Sequence, residues 1–221
     1  MANIRAFLSW SSGKDSAFAL LKARGLGIDV AGLLTNVSEA DGRVAMHGAH
    51  PAMLSAQVAA IGLPALQVAL PWPCPNAEYE RRTGAALEAI KAQDIRHVVF
   101  GDLFLEDIKA YRDKQMEGAG MTPLYPLWKL DTKALAHEMI ASGLVAHLVC
   151  VDGRKLPESF AGRKFDEALL ADLPDGIDPC GENGEFHTLV TDAPFFSRPI
   201  TFQRGNVTRK GDFIYAELSP A

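Results

Sequence analysis

Residues 8 to 20 read LSWSSGKDSAFAL, an apolar run that ends in small residues, a glycine and a lysine and then becomes helix-like. The same outline recurs through the first half of the chain, where short β-rich runs alternate with helix-like segments. Such alternation is the sequence pattern of a parallel sheet covered by helices on both faces. Ile4 to Trp10 reads as the first strand. Ser16 to Arg24 reads as a helix closed by Gly25, and Val30 to Thr35 as the second strand. Pro51 suits the first position of a helix reaching about Ala60, with Gly62 ending it and LPALQVAL supplying a third strand. Asn76 is placed to cap a long helix to Ala92, with Glu78 and Glu80 near the positive end of its dipole. HVVFGD then forms a fourth strand whose C-terminal end delivers Gly101 and Asp102, where open α/β sheets bind ligands.

Beyond the helical segment LFLEDIKAYRDKQMEGAG, the prolines and aromatics of MTPLYPLWKLDT mark a change of organisation. The expected division is residues 1–122 and 123–221. The second part reads as a smaller α+β unit. It holds a helix from Thr132 to Ser142 capped by Asp131, the strand AHLVCVD and a charged helix over Lys164 to Ala171. A loop rich in Gly, Pro and Asp, PDGIDPCGENGEFHT, precedes a final β pair, ITFQRGNV and DFIYAEL, with TRKG as the turn.

Composition narrows the function classes. A chain of 221 residues with 48% hydrophobic and 22% charged residues can bury a core, which excludes disordered and collagen-like classes. A net charge of -5 argues against coating DNA. Three widely spaced cysteines, with no CxxC pair, fit reduced thiols better than a disulfide framework or a cysteine-held metal. No apolar run approaches ~20 residues and no signal-peptide pattern opens the chain, so a cytoplasmic protein with no membrane span is expected. A homo-oligomer is left open.

The turn at Ser11-Ser12-Gly13 is not a Walker A loop. Asp15 stands where that loop needs Ser or Thr, and Leu8 where it needs the first glycine. A dinucleotide fingerprint fails as well, for want of glycines. What remains is a helix N-terminus on which backbone N–H groups and hydroxyls converge, an anion site by construction. It resembles the SGGxDS motif of the ATP pyrophosphatases, which split ATP between the α and β phosphates. That resemblance implies that Ser9, Ser11, Ser12, Gly13 and Ser16 cradle pyrophosphate, that Lys14 neutralises it and that Asp15 helps to place Mg²⁺. Ser12 departs from the family glycine and crowds the phosphates if its position needs a positive φ.

Three further stretches extend the likeness over essentially the whole chain: MHG at Met46 to Gly48, GDLFLEDIKAYRDKQMEGAGMTPLYPLW at Gly101 to Trp128, and CGENGEFHTLVTDAPFF at Cys180 to Phe196. Together they resemble the diphthine-ammonia ligase family. The resemblance implies a HUP-type ATP-binding sheet with a smaller C-terminal substrate domain. It also implies ATP and Mg²⁺ as requirements, and a reaction in which a carboxylate is adenylated and then amidated by ammonia. The acceptor would be diphthine on elongation factor 2 or another carboxylate.

Thr35 and Asn36 match positions where the superfamily contacts adenosine, or else form an ordinary strand-end cap. Asp102 either holds metal or substrate or caps a helix. Asp107 enters by resemblance alone, and Arg112 pairs a phosphate or carboxylate through its planar fork or lies on a solvated helix face. Glu182 and Glu185 suit a cation or the removal of a proton from ammonium, as alternatives to a plain turn. Asn183 replaces a family glycine and tolerates left-handed geometry. His47 and His187 are substrate-binding candidates that either move a proton or serve as hydrogen-bonded structural residues. Two other functions share this fold: sulfur transfer to tRNA, which would want a cysteine pair and a basic surface, and nucleotide-binding regulation without turnover.

Overall fold

The computed structural model describes residues 4–221, so the first three residues of the expected first domain lie outside it. The first sheet contains β1 (Arg5–Ser9), β2 (Asp29–Ser38), β3 (Ala65–Leu70), β4 (His97–Val99) and β5 (Thr122–Leu124) in the order β3-β2-β1-β4-β5. Every pairing in it is parallel. β1 is central, and its Ala6, Phe7 and Leu8 are buried because helices cover both faces. Strand order reverses between β1 and β4, so the loops leaving their C-terminal ends diverge and leave a crevice.

The helices of this half are α1 (Lys14–Gly25), α2 (Pro51–Ile61), α3 (Asn76–Lys91) and α4 (Glu106–Gly118). Small Ala17, Ala19 and Ala23 let α1 lie close on the sheet, fully buried. Pro51 opens α2 and Gly62, at φ 73°, closes it as expected.

The second sheet is antiparallel, in the order β7-β6-β9-β8, from β6 (Val145–Asp152), β7 (Phe186–Asp192), β8 (Phe202–Lys210) and β9 (Phe213–Pro220). It is accompanied by α5 (Thr132–Ala141), capped by the Asp131 carboxylate on Ala134 N, and by α6 (Glu167–Asp172). The two sheets share one apolar core that runs from β1 and α1 through α5, β6, β7 and β9. β5 lies across the expected division at 122 and 123, pairing with β4 in the first sheet.

Several local expectations change. Asn76 is the first helical residue of α3, because Pro75 takes the cap position with extended backbone and its carbonyl accepts from Glu78 N and Tyr79 N. Asp102 does not cap α4; Leu105 holds that place and the carboxylate pairs with Arg112 instead. Gly25 ends α1 from within, and the chain reverses at Gly27, at φ 77°. Thr208 to Lys210 belong to β8, because pairing with β9 continues through Lys210 opposite Phe213 and leaves only Gly211 and Asp212 for the turn. The charged helix α6 starts at Glu167, capped by Asp166, later than Lys164. The largest change is β7: residues read as the end of a loop form an edge strand.

Candidate active site

The crevice at the ends of β1 and β4 is a cleft of about 180 Å³. Ser9, Ser11, Asp15 and Ser16 form one wall. Gly101, Asp102 and Arg112 form a second, and the chain from Gly181 to Thr188 closes it with Glu182 and His187, while His47 enters from the loop after β2. A smaller recess adjoins it, sharing Ser9, Phe100 and Arg112 and adding Asn36, Tyr79 and Gln115.

The loop before α1 is tied by its own hydroxyls. Ser16 Oγ donates to Gly13 O at 2.9 Å and accepts from Ser11 N at 3.3 Å, while Ser11 and Ser16 Oγ lie 3.2 Å apart. First-turn N–H groups have no acceptor inside a helix. Thr188 Oγ1 accepts that of Lys14 at 3.0 Å, and those of Asp15 and Ser16 are left to the cleft that both residues line. The helix dipole adds a partial positive charge there, so the wall suits an anion. Gly101 presses against the same turn: a Cβ on it would stand 2.9 Å from the carbonyl carbon and oxygen of Asp15.

Ser12 adopts φ 69°, the left-handed conformation that glycine takes at no cost. It is buried, its hydroxyl has no partner among the described residues, and its carbonyl accepts from Gln57 Nε2 and from Val190 N. The crowding expected at this position is therefore a strain in the backbone, and the hydroxyl does not reach the cleft.

Lys14 is not a wall of the cleft. Its buried ammonium donates to both Asp15 carboxylate oxygens at 3.0 Å and to the Cys180 carbonyl, with the Phe165 and Phe186 rings 5.5 and 5.3 Å away. Burial opposes its charge, yet its surroundings, Asp15 foremost by charge and hydrogen bond, outweigh that and hold its pKa above the usual lysine value. Arg112 already has a partner, its Nε lying 3.1 and 2.9 Å from the two Asp102 oxygens, and its guanidinium stands 4.6 Å from the Phe100 ring.

Glu182 crosses between the two halves, accepting from Leu103 N at 2.9 Å. Burial, then the charge of Asp15, pushes its pKa up to about 7. Glu185 behaves differently. It is buried outside the cleft, with Asn183 Nδ2 at 3.2 Å and one oxygen without a partner among the described residues. Asn183 and Asp107 are exposed and do not line the cleft. Thr35 is buried away from it, and only Asn36 of that pair reaches the recess. The His47 and His187 rings meet at 4.7 Å inside the cleft.

Thr188 and Gln57 were absent from the sequence reading. Gln57 Nε2 donates to the carbonyls of Ser12 and Val190 and its Oε1 accepts from Trp10 Nε1, so one buried amide holds the loop, β7 and the end of β1 together. Its signal was a single amide within the largely apolar AMLSAQVAAI. Among the described residues no group of three or more His, Cys, Asp or Glu converges on a metal, and no helix is long and apolar enough to cross a membrane.

A parallel α/β sheet with HUP-type strand order, carrying an anion-ready helix N-terminus at its switch point, defines the class. Two family descriptions match in succession, diphthamide synthase N-terminal domain over residues 4–123 and diphthamide synthase C-terminal domain over residues 131–217. The chain belongs to this diphthamide synthase, or diphthine-ammonia ligase, family. It is similar to the diphthine–ammonia ligase of Danio rerio, with 34% identity over 103 residues covering 44% of this chain and 40% of that protein. The protein of that name from Schizosaccharomyces pombe is 31% identical over 105 residues, 45% of this chain and 17% of the relative. The human one is 33% identical over 92 residues, 39% and 34%. The chain thus spans less than half the length of each of these relatives.

Proposed function

We propose that the chain is an ATP-dependent amide ligase: a substrate carboxylate attacks the α phosphorus, pyrophosphate leaves, and ammonia displaces AMP from the acyl adenylate. The observation that carries this reading is the meeting, in one cleft, of an anion-ready helix N-terminus with Arg112 and Glu182 from opposite walls. Ser11, Ser16 and the first-turn N–H groups would hold the phosphates, where charge grows on the leaving pyrophosphate. The adjoining recess with Asn36 would take the nucleoside.

Arg112 would pair a phosphate or the incoming carboxylate. Glu182, with its pKa near 7, would take the proton that ammonium must lose. Asp15, with its side chain 24% exposed on the cleft wall, suits one ligand of a Mg²⁺ that is otherwise held by phosphate oxygens and water. When bound there, the ion would neutralise phosphate charge. Lys14 would fix the Asp15 carboxylate from behind. Diphthine on elongation factor 2, or another carboxylate, is the proposed acceptor, and the cytoplasm the proposed setting. We place the division between nucleotide and substrate parts after β5.

Sulfur transfer is disfavoured: burial pushes the Cys150 thiol up to about 11 and raises that of Cys180, so neither is poised as a thiolate. A pyrophosphate-release assay with ammonium and a panel of carboxylates tests the ligase. Release that depends on both substrates, and is abolished in a folded Asp15→Ala variant, is the expected result. Tight ATP binding with no release for any acceptor would favour a regulator.

A further inference from the structure

Of the three carboxylates that line the cleft, Asp15 is paired with Lys14 and Asp102 with Arg112, which leaves Glu182 and the two imidazoles as its acceptors. The helix N-terminus, Ser9, Ser11, Ser16 and the Arg112 guanidinium all suit nucleotide and carboxylate oxygens, whereas the nucleophile of the proposed reaction carries N–H groups that need acceptors. We infer that His47 and His187 form the binding site for that nucleophile, a small N–H donor of the ammonia or ammonium class. This rests on the amide-ligase reading and adds a site to it.

The geometry fixes which atom does the accepting. His47 Nδ1 lies 3.2 Å from the Thr188 carbonyl oxygen, which can only accept, so Nδ1 carries the ring proton. In the neutral ring Nε2 is then left as a lone pair. The ring packs on the proposed phosphate loop itself: a Cβ on Gly13 would stand 2.7 Å from His47 Cε1. Thr188 also accepts the Lys14 N–H through its hydroxyl, so one residue positions both the phosphate loop and the imidazole. His187, one residue earlier on β7, brings the second ring to a centroid distance of 4.7 Å.

Both rings stay neutral at physiological pH. Burial lowers the pKa of His47 to about 4, with Lys14 adding to it. Burial, then His47 and Lys14, lowers that of His187 to about 3. A neutral imidazole offers no cation to a phosphate and does not repel ammonium. Glu182 lines the same cleft as a further acceptor, so the nucleophile's N–H groups find the pair and the carboxylate together.

The test separates the site from the reaction. In spectra of the ¹⁵N-histidine-labelled protein, ammonium chloride and methylammonium chloride should shift the His47 Nε2 resonance saturably, and sodium chloride should not. The absence of a saturable shift, or an equal one with sodium, overturns the proposal. In turnover, His47→Phe and His187→Leu should raise KM for ammonium about tenfold, the loss of one hydrogen bond, and leave KM for ATP unchanged. His47→Gln, which keeps an acceptor oxygen, should recover part of the loss. A change in KM for ATP with none for ammonium overturns the assignment, because the rings would then serve the phosphates. If the variants fail to fold, the titration of the unaltered protein decides. If the unaltered protein releases no pyrophosphate with any acceptor, the ligase reading falls while the titration still decides whether the pair binds an N–H donor.

Discussion

Thr188 Oγ1 accepts the backbone N–H of Lys14 at 3.0 Å, so a residue of the second sheet caps the helix that opens the first. The N-cap residue of α1, Gly13, has no side chain with which to do this. The bond joins positions 174 residues apart and holds the turn before α1 against β7.

Thr188→Val removes the hydroxyl at nearly constant volume and leaves a buried N–H unpaired. The expected loss is about 1–2 kcal/mol, read as a lower urea midpoint. ATP affinity should fall with it, because the cap orients the phosphate loop.

Ser12→Gly should stabilise. Relief of the left-handed strain is worth about 1–2 kcal/mol, against about 0.5–1 kcal/mol of added chain entropy in the unfolded state. The net is a rise of up to about 1.5 kcal/mol in unfolding free energy, seen as a higher denaturation midpoint at constant slope.

Gly101→Ala should do the reverse. The new methyl would meet the Asp15 backbone at 2.9 Å, with no flexible side chain to give way. Displacing the first turn of α1 should cost about 1–3 kcal/mol and weaken ATP binding, measured by calorimetric titration.

Glu182 governs the expected pH dependence. Its pKa is raised from 4.5 to about 7 in the folded protein, so between these values the native state binds the extra proton. The stability contribution of this group therefore falls as pH rises from about 4.5 to 7 and is flat above. Activity should move the other way, rising through pH 7 as the carboxylate becomes able to accept a proton. A pH–rate profile of amide formation should show this limb in the unaltered protein and lose it in Glu182→Gln.

Legibility in the sequence followed the range of the interactions. Pro51, Gly62 and Asp131 act on their own helix ends, so α2 and α5 could be read with their caps. Asn76 was misread because the cap at α3 is made by the Pro75 carbonyl, which accepts from Glu78 N and Tyr79 N, so no capping side chain marks the start. β7 was hidden because GENGEFHT is rich in turn formers, while its strand exists only through pairing with β6, some 40 residues earlier. The same limit applied to Glu182 and Glu185: three apart in sequence, one lines the cleft and the other is buried behind it.

By itself the sequence determined the parallel α/β half, the strand–turn–helix at Ser9 to Ser16, and the stretches that identify the family. The elements depend on local backbone preference and hydrophobic period, and the family stretches on residue types in contiguous runs. Tertiary structure alone decided that Lys14 turns inward onto Asp15 and Cys180, that Ser12 bears a positive φ, and that His47 meets His187. In each case the deciding partner lies on, or just before, the β7 edge that docks on α1. Burial in that contact sets the backbone strain, the charge pairing and the protonation states that no local spacing encodes.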